Sequence, residues 1–143
     1  MSAWTALTLD VVQNALPSDV NTAYAAWVAA NPSKDGRLAD LIAEQAAIFR
    51  RAVVSGGQDI PEDETLIPIV GFRHAMNMLT FYLLMEIGAV VTPEVYQLVT
   101  RADIWMRMLQ QGRMIIEPEE FGGTPSYVTR DRSNSDARSI LGA

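Results

Sequence analysis

The sequence predicts an all-α protein: a compact bundle of about four to five helices followed by an extended, irregular C-terminal arm. Three observations predict it. Apolar residues recur at spacings of three and four in successive segments, which is the period of a half-buried helix. Those segments are separated by Pro17, Asn31-Pro32, Ser55-Gly56-Gly57, Gly88 and Gly112, which are helix stops or turns. From Ile115 onward the pattern dissolves. With 143 residues, 49% of them hydrophobic and 20% charged, the chain has the composition of a globular protein and room for a single core. The expected organisation is a helical bundle over residues 1–114 and an arm over 115–143.

The first helix starts at Leu7-Thr8-Leu9-Asp10. Thr8 can cap it, Asp10 suits the positive helix end, and Leu7 and Val12 can close a hydrophobic staple across the cap. Pro17 stops this helix. Ser18 is the expected cap of the next, whose Val20, Tyr24, Trp27 and Val28 share one face. After the turn Ser33–Gly36, with Asp35 as expected cap, a helix runs to about Val54. Leu38, Leu41, Ile42, Ala46, Phe49 and Val53 form its apolar stripe, while Arg37, Asp40, Glu44, Arg50 and Arg51 fall mostly off it. This is the clearest amphipathic helix in the chain.

Gln58 to Glu64 reads as an exposed loop carrying Asp59, Glu62, Asp63 and Glu64. Thr65 is then the expected cap of a helix over Leu66 to Ile87, with Pro68 tolerated in its first turn. Its apolar residues fit no single stripe, which predicts burial by neighbours on several sides. Gly88 suits its C-terminal cap. Thr92-Pro93-Glu94 combines a cap, a proline at the first helical position and an acid in the first turn. The helix it starts carries Val95, Leu98, Val99, Ala102, Met106 and Leu109 and stops at Gly112. The arm places Phe121, Tyr127, Arg130, Arg132, Arg138, Ile140 and Leu141 in a polar background, a composition that orders on a partner.

Composition also bounds the chemistry. The chain has no cysteine, so disulfides, thiolate metal sites and cysteine nucleophiles are excluded. It has one histidine, His74, so multi-histidine metal sites are excluded as well. His74 lies in the expected buried helix and reads as a core or interface residue, not a catalytic one. The acids of residues 59–64 match no calcium-loop spacing and read as a solvated loop. Gly56-Gly57 and Gly122-Gly123 lack the lysine and context of a phosphate-binding loop. Trp4, Trp27, Trp105 and the seven methionines read as core or subunit-contact residues. No enzyme is expected, and no cofactor or metal. The formal net charge of -6 argues against a free-standing duplex-DNA binder. The start of the chain predicts no secretory signal, and Asn77, Thr80 and Glu86 break the apolar stretch Ala75–Val91 too often for a membrane span.

In its order of elements the chain resembles the small head–tail connector, or adaptor, proteins of tailed bacteriophages. The resemblance rests on the short threonine-leucine helix Ala6–Val12 and the long helix Leu38–Arg50. It continues through the loop with Ile60-Pro61 and the buried helix Ile69–Leu84, with aromatics in its second half. The proline-started helix ending Trp105-Met106-Arg107-Met108-Leu109-Gln110-Gln111-Gly112-Arg113 and the arginine-bearing tail complete it. It covers most of the sequence, although the helix Asp19–Ala30 is longer and more aromatic than the pattern expects.

The resemblance implies a structural virion protein, made in the host cytoplasm and located at the head–tail interface. Such a protein forms a ring, typically of about twelve copies, beneath the portal protein. The ring extends the DNA channel and presents a docking surface to the next connector or a tail-terminator protein. DNA would pass without sequence-specific binding. Arg50, Arg51, Arg101 and Arg107 would make charged contacts between subunits. Phe121, Tyr127, Arg130, Arg132, Arg138, Ile140 and Leu141 would meet the portal or a neighbouring copy. Asp59, Glu62, Asp63 and Glu64 would face the channel, where negative charge repels phosphate. The alternative is a small helical nucleic-acid-binding regulator using the helix pair Val20–Val54, whose acids Asp40 and Glu44 weigh against it.

Overall fold

The computed structural model describes residues 3–116. The expected arm residues Phe121, Tyr127, Arg130, Arg132, Arg138, Ile140 and Leu141 lie outside the described residues. Among the described residues the fold is helical, with five α-helices and a two-stranded sheet of three residues per strand.

Helix α1, Leu9–Ala15, starts as its sequence dictates. The Thr8 hydroxyl accepts from the Val11 N–H at 3.4 Å, and Leu7 and Val12 are both buried across the cap. Helix α2, Ser18–Ala30, corrects the expected cap. Pro17 holds the cap position, Ser18 is already helical, and the Asp19 carboxylate accepts from the Val20 N–H at 3.0 Å.

Helix α3, Arg37–Ser55, is likewise not capped by Asp35. Gly36 holds that position, and the cap function comes from another helix. The Tyr24 hydroxyl of α2 accepts from the Leu38 N–H at 3.1 Å and donates to the Asp35 carbonyl at 3.1 Å. A side chain distant in sequence thus satisfies one of the orphan donors of the helix start. Every residue of the predicted α3 stripe is buried, from Leu38 to Val53.

The expected helix over Leu66–Ile87 is shorter than predicted. Leu66–Pro68 is strand β2, paired antiparallel with strand β1, Trp4–Ala6, in the register Trp4 with Pro68 and Ala6 with Leu66. A single 3₁₀ turn, Ile69–Gly71, follows, and helix α4 spans Phe72–Glu86. The reason is local. A residue before proline is pushed out of the helical region, which holds Ile67 extended. Thr65 does not cap a helix; its N–H and hydroxyl both donate to the Asp63 carboxylate, at 2.9 and 2.8 Å. The backbone groups left over are taken up by the N-terminus: Leu7 N–H donates to the Thr65 carbonyl and Ile69 N–H to the Ala3 carbonyl, both at 2.8 Å.

Burial of α4 is also less complete than its composition predicts. It turns Ala75, Met76, Leu79 and Leu83 inward and leaves Tyr82 and Met85 exposed. Its end matches the prediction. Gly88 takes φ +74, which costs an L side chain dearly, and this lets Ala89 N–H reach the Leu84 carbonyl at 2.9 Å.

Helix α5, Pro93–Gln110, starts on the Thr92 hydroxyl, which accepts from the Val95 N–H at 3.3 Å. Helices α3, α4 and α5 pack on one another to form the core. Two glycines set how closely they approach. A methyl group on Gly71 would sit 2.6 Å from the Trp105 ring, and one on Gly56 would strike the Leu109 carbonyl. Trp105 lies between Phe49 and His74, at centroid distances of 5.9 and 5.0 Å.

The packed body continues through Ile116, which is 7% exposed. The Gln58 amide holds this last segment at both ends. It donates to the Met114 carbonyl and accepts from the Ile116 N–H, each at 2.7 Å.

Candidate functional site

The residues expected to act fall into three structural situations. Arg50 is inside the fold, at 8% exposure. Its guanidinium donates to the Leu66 carbonyl at 2.9 Å and to the Pro61 carbonyl, pinning the 58–65 loop and the start of β2 to α3. It is not presented to a neighbour. Arg51, Arg101 and Arg107 are exposed. Arg107 pairs with Asp103, one turn earlier on α5, at 2.8 Å. Asp59, Glu62, Asp63 and Glu64 are all exposed on the loop between α3 and β2. Within that loop, the Thr65 N–H and hydroxyl hold the Asp63 carboxyl below the usual carboxylate range.

His74 sits half-buried in α4, stacked on Trp105, with Nδ1 buried and, among the described residues, without a hydrogen-bond partner. Burial lowers its pKa from the ordinary value. Among the described residues no carboxylate or hydroxyl is positioned on that nitrogen. Arg37 of α3 makes a two-point contact to Glu86 of α4, at 3.2 and 3.3 Å, which favours its charged form and ties the ends of those helices together. Among the described residues, no three His, Asp or Glu side chains converge to hold a metal ion. No helix of the described residues is long and apolar enough to cross a membrane.

What the fold displays is surface. Helix α5 buries Ala102, Met106 and Leu109 and turns Tyr96, Ile104 and Met108 outward, with Tyr96 and Ile104 more than half exposed. Ile104 and Met108 lie one turn apart, and Tyr96 lies two turns before Ile104 across the exposed Thr100. Arg101 and Arg107 lie on the same exposed surface, with Arg107 engaged by Asp103. Tyr96 continues the apolar surface onto α4 through Phe81, at a centroid distance of 5.6 Å, and Phe81 meets Tyr82 at 5.4 Å. Val90, in the turn between α4 and α5, is 84% exposed.

Two apolar grooves accompany this ridge. One, of about 800 Å³, lies between α1, α4 and α5 and is lined by Val11, Ile69, Val70, Arg73, Met76 and Leu98. The other, of about 690 Å³, runs along α3 beside the 58–65 loop. Ala43, Ala47, Val54 and Ile60 form its floor, with Arg51 and Glu64 on its walls.

Sequence reasoning placed Arg51, Arg101 and Arg107 on the surface but missed the ridge, the two grooves and the internal role of Arg50. A signal for the ridge was present. Helix α5 carries apolar residues outside its buried stripe, and among them Ile104 and Met108 are spaced by four. No family model, curated protein or solved structure matches this chain.

Proposed function

We propose that the chain is a structural assembly protein of a tailed bacteriophage: a head–tail adaptor that forms a ring beneath the portal protein. In that reading it extends the DNA channel and offers a docking surface to the next connector or the tail. It works in the virion after assembly in the host cytoplasm. The observation that carries the reading is the exposed ridge Tyr96, Ile104 and Met108 on a helix whose opposite face already completes a core. A protein with a filled core and a second apolar helix face is built to be covered by a partner. The exposed Arg101 suits such a contact, because guanidinium groups make planar, multi-bond pairs with carboxylates. The resemblance in element order supplies the class of partner. The arm residues Phe121, Tyr127, Arg130, Arg132, Arg138, Ile140 and Leu141 are assigned to the portal or a neighbouring copy in the same reading.

The test is the mass of the protein alone and mixed with candidate portal rings, by native mass spectrometry, repeated with a chain truncated after Glu120. The reading expects a portal-bound ring of about twelve copies for the full chain and loss of binding on truncation. A protein that ignores portals but binds duplex DNA, with log affinity falling linearly in log salt, would replace this reading with that of a nucleic-acid regulator.

A further inference from the structure

The groove along α3 has an apolar floor at Ala43, Ala47, Val54 and Ile60 and charge on both walls. The α3 wall carries the exposed Arg51, which forms no ion pair among the described residues. The other wall carries Glu64, and its loop adds the exposed Asp59, Glu62 and Asp63. Arg50 also lines the groove, but its guanidinium is committed to the Pro61 and Leu66 carbonyls. The lining runs from Ala43 to Ser55 of α3, about 18 Å of helix.

The described chain ends beside this groove. The Gln58 N–H donates to the Val53 carbonyl at 3.2 Å, and the Gln58 side chain bonds Met114 and Ile116, each at 2.7 Å. Ile60 follows two residues after Gln58, so Ile116 lies within about 15 Å of the groove's near end. Residues 117–143 continue from that point, outside the described residues. Within them, residues 127–132 read Tyr-Val-Thr-Arg-Asp-Arg. Ten residues, 117–126, precede these and can span up to about 33 Å. Glu117, Glu119 and Glu120 fall in that connecting stretch. The distance to the groove is therefore covered with length to spare.

We infer that residues 127–132 of the same chain dock along the α3 groove in the free protein. Six residues in extended form cover about 17–20 Å, which is the length of the groove. Tyr127 and Val128 supply large apolar side chains to a floor of small ones. Successive side chains of an extended segment point to opposite sides, which sets Arg130 and Arg132 on one side and Asp131 on the other. The two walls carry the matching pattern, acids on the loop and Arg51 on α3. A short tether also presents a segment to a nearby site at an effective concentration of order 1 mM, so a weak contact is populated. The groove between α1, α4 and α5 does not fit, because its lining holds Arg73 and no carboxylate. The contact concerns the free chain and does not rest on the adaptor reading. A portal or neighbouring copy that takes these residues would uncover the groove.

The chain has no cysteine, so Ser133→Cys gives a unique site for a nitroxide label just past the docked residues. The readout is the methyl signals of the full chain by nuclear magnetic resonance. It is taken at about 50 μM, far below the effective concentration of order 1 mM that the tether provides. The inference expects paramagnetic loss of the Ala43, Ala47 and Ile60 signals, while Val11 and Leu98 of the other groove keep theirs. Tyr127→Asp with Val128→Asp in the same labelled chain should restore the lost signals. Broadening that survives this change would report the tether alone and overturn the inference. So would broadening centred on Val11 and Leu98, or no broadening at all. Mixing a labelled chain without isotope and an isotope-enriched chain without label reads contacts between copies. The same losses in that mixture would place the segment in a neighbour's groove and overturn the contact within one chain.

Discussion

Arg50 shows how far a residue's role depends on its surroundings. From sequence it is one of two adjacent arginines at the edge of an amphipathic stripe, and nothing local separates it from Arg51. In the fold it turns inward and donates to the carbonyls of Pro61 and Leu66. Replacing it by Met keeps the stem and removes the donors. The expected loss is about 1–3 kcal/mol, the cost of leaving buried carbonyls unpaired, measured as a shift in urea midpoint. The same change at the exposed Arg51 should stay within about 0.5 kcal/mol.

Glycine positions divide in the same way. Gly56→Ala would drive a methyl into the Leu109 carbonyl and should cost about 1–3 kcal/mol, whereas Gly36, with open space around it, should accept alanine at little cost. His74 gives a pH dependence. Its folded pKa lies below the ordinary value of 6.5, so the unfolded chain binds more protons as pH falls through that value. Stability is therefore fully present above the unfolded pKa and declines on acidification. The melting temperature should drop between about pH 7.5 and 5.5, and His74→Phe, which keeps a ring against Trp105, should flatten that slope.

At the scale of elements, the helices were legible where the signal was local. Thr8 and Thr92 cap as expected, and the whole α3 stripe is buried. The misreadings share one cause, a partner distant in sequence. The α3 cap is a tyrosine hydroxyl from α2, and the strand Leu66–Pro68 exists because residues 4–6 pair with it. A three-residue strand is too short to reveal a period of two, and the apolar run from Leu66 into α4 masked the boundary. The N-terminal strand is consequently part of the body. Trp4 is buried in the core, and Trp4→Ala should cost about 3–5 kcal/mol. Unfolding followed by both circular dichroism and tryptophan fluorescence would show whether the sheet is lost together with the helices. Gln58 plays a similar part at the other end of the described residues, because its amide fixes Met114 and Ile116 against the loop after α3.

For the whole molecule, the bundle followed from helical periodicity and helix stops, whereas the surfaces did not. A ridge and a groove are defined by which helix faces remain uncovered, and that depends on how α3, α4 and α5 pack. Only the arginines and the acidic loop could be named beforehand, and of the four arginines one proved internal. The adaptor reading joins an exposed apolar helix face and a likeness in element order. Its most direct test is electron cryomicroscopy of candidate portal rings incubated with the full chain. The account predicts class averages with a new cyclic layer on one end of the portal, its copies related by the portal's own axis. Bare portals, with the chain left as separate particles at saturating concentration, would contradict it.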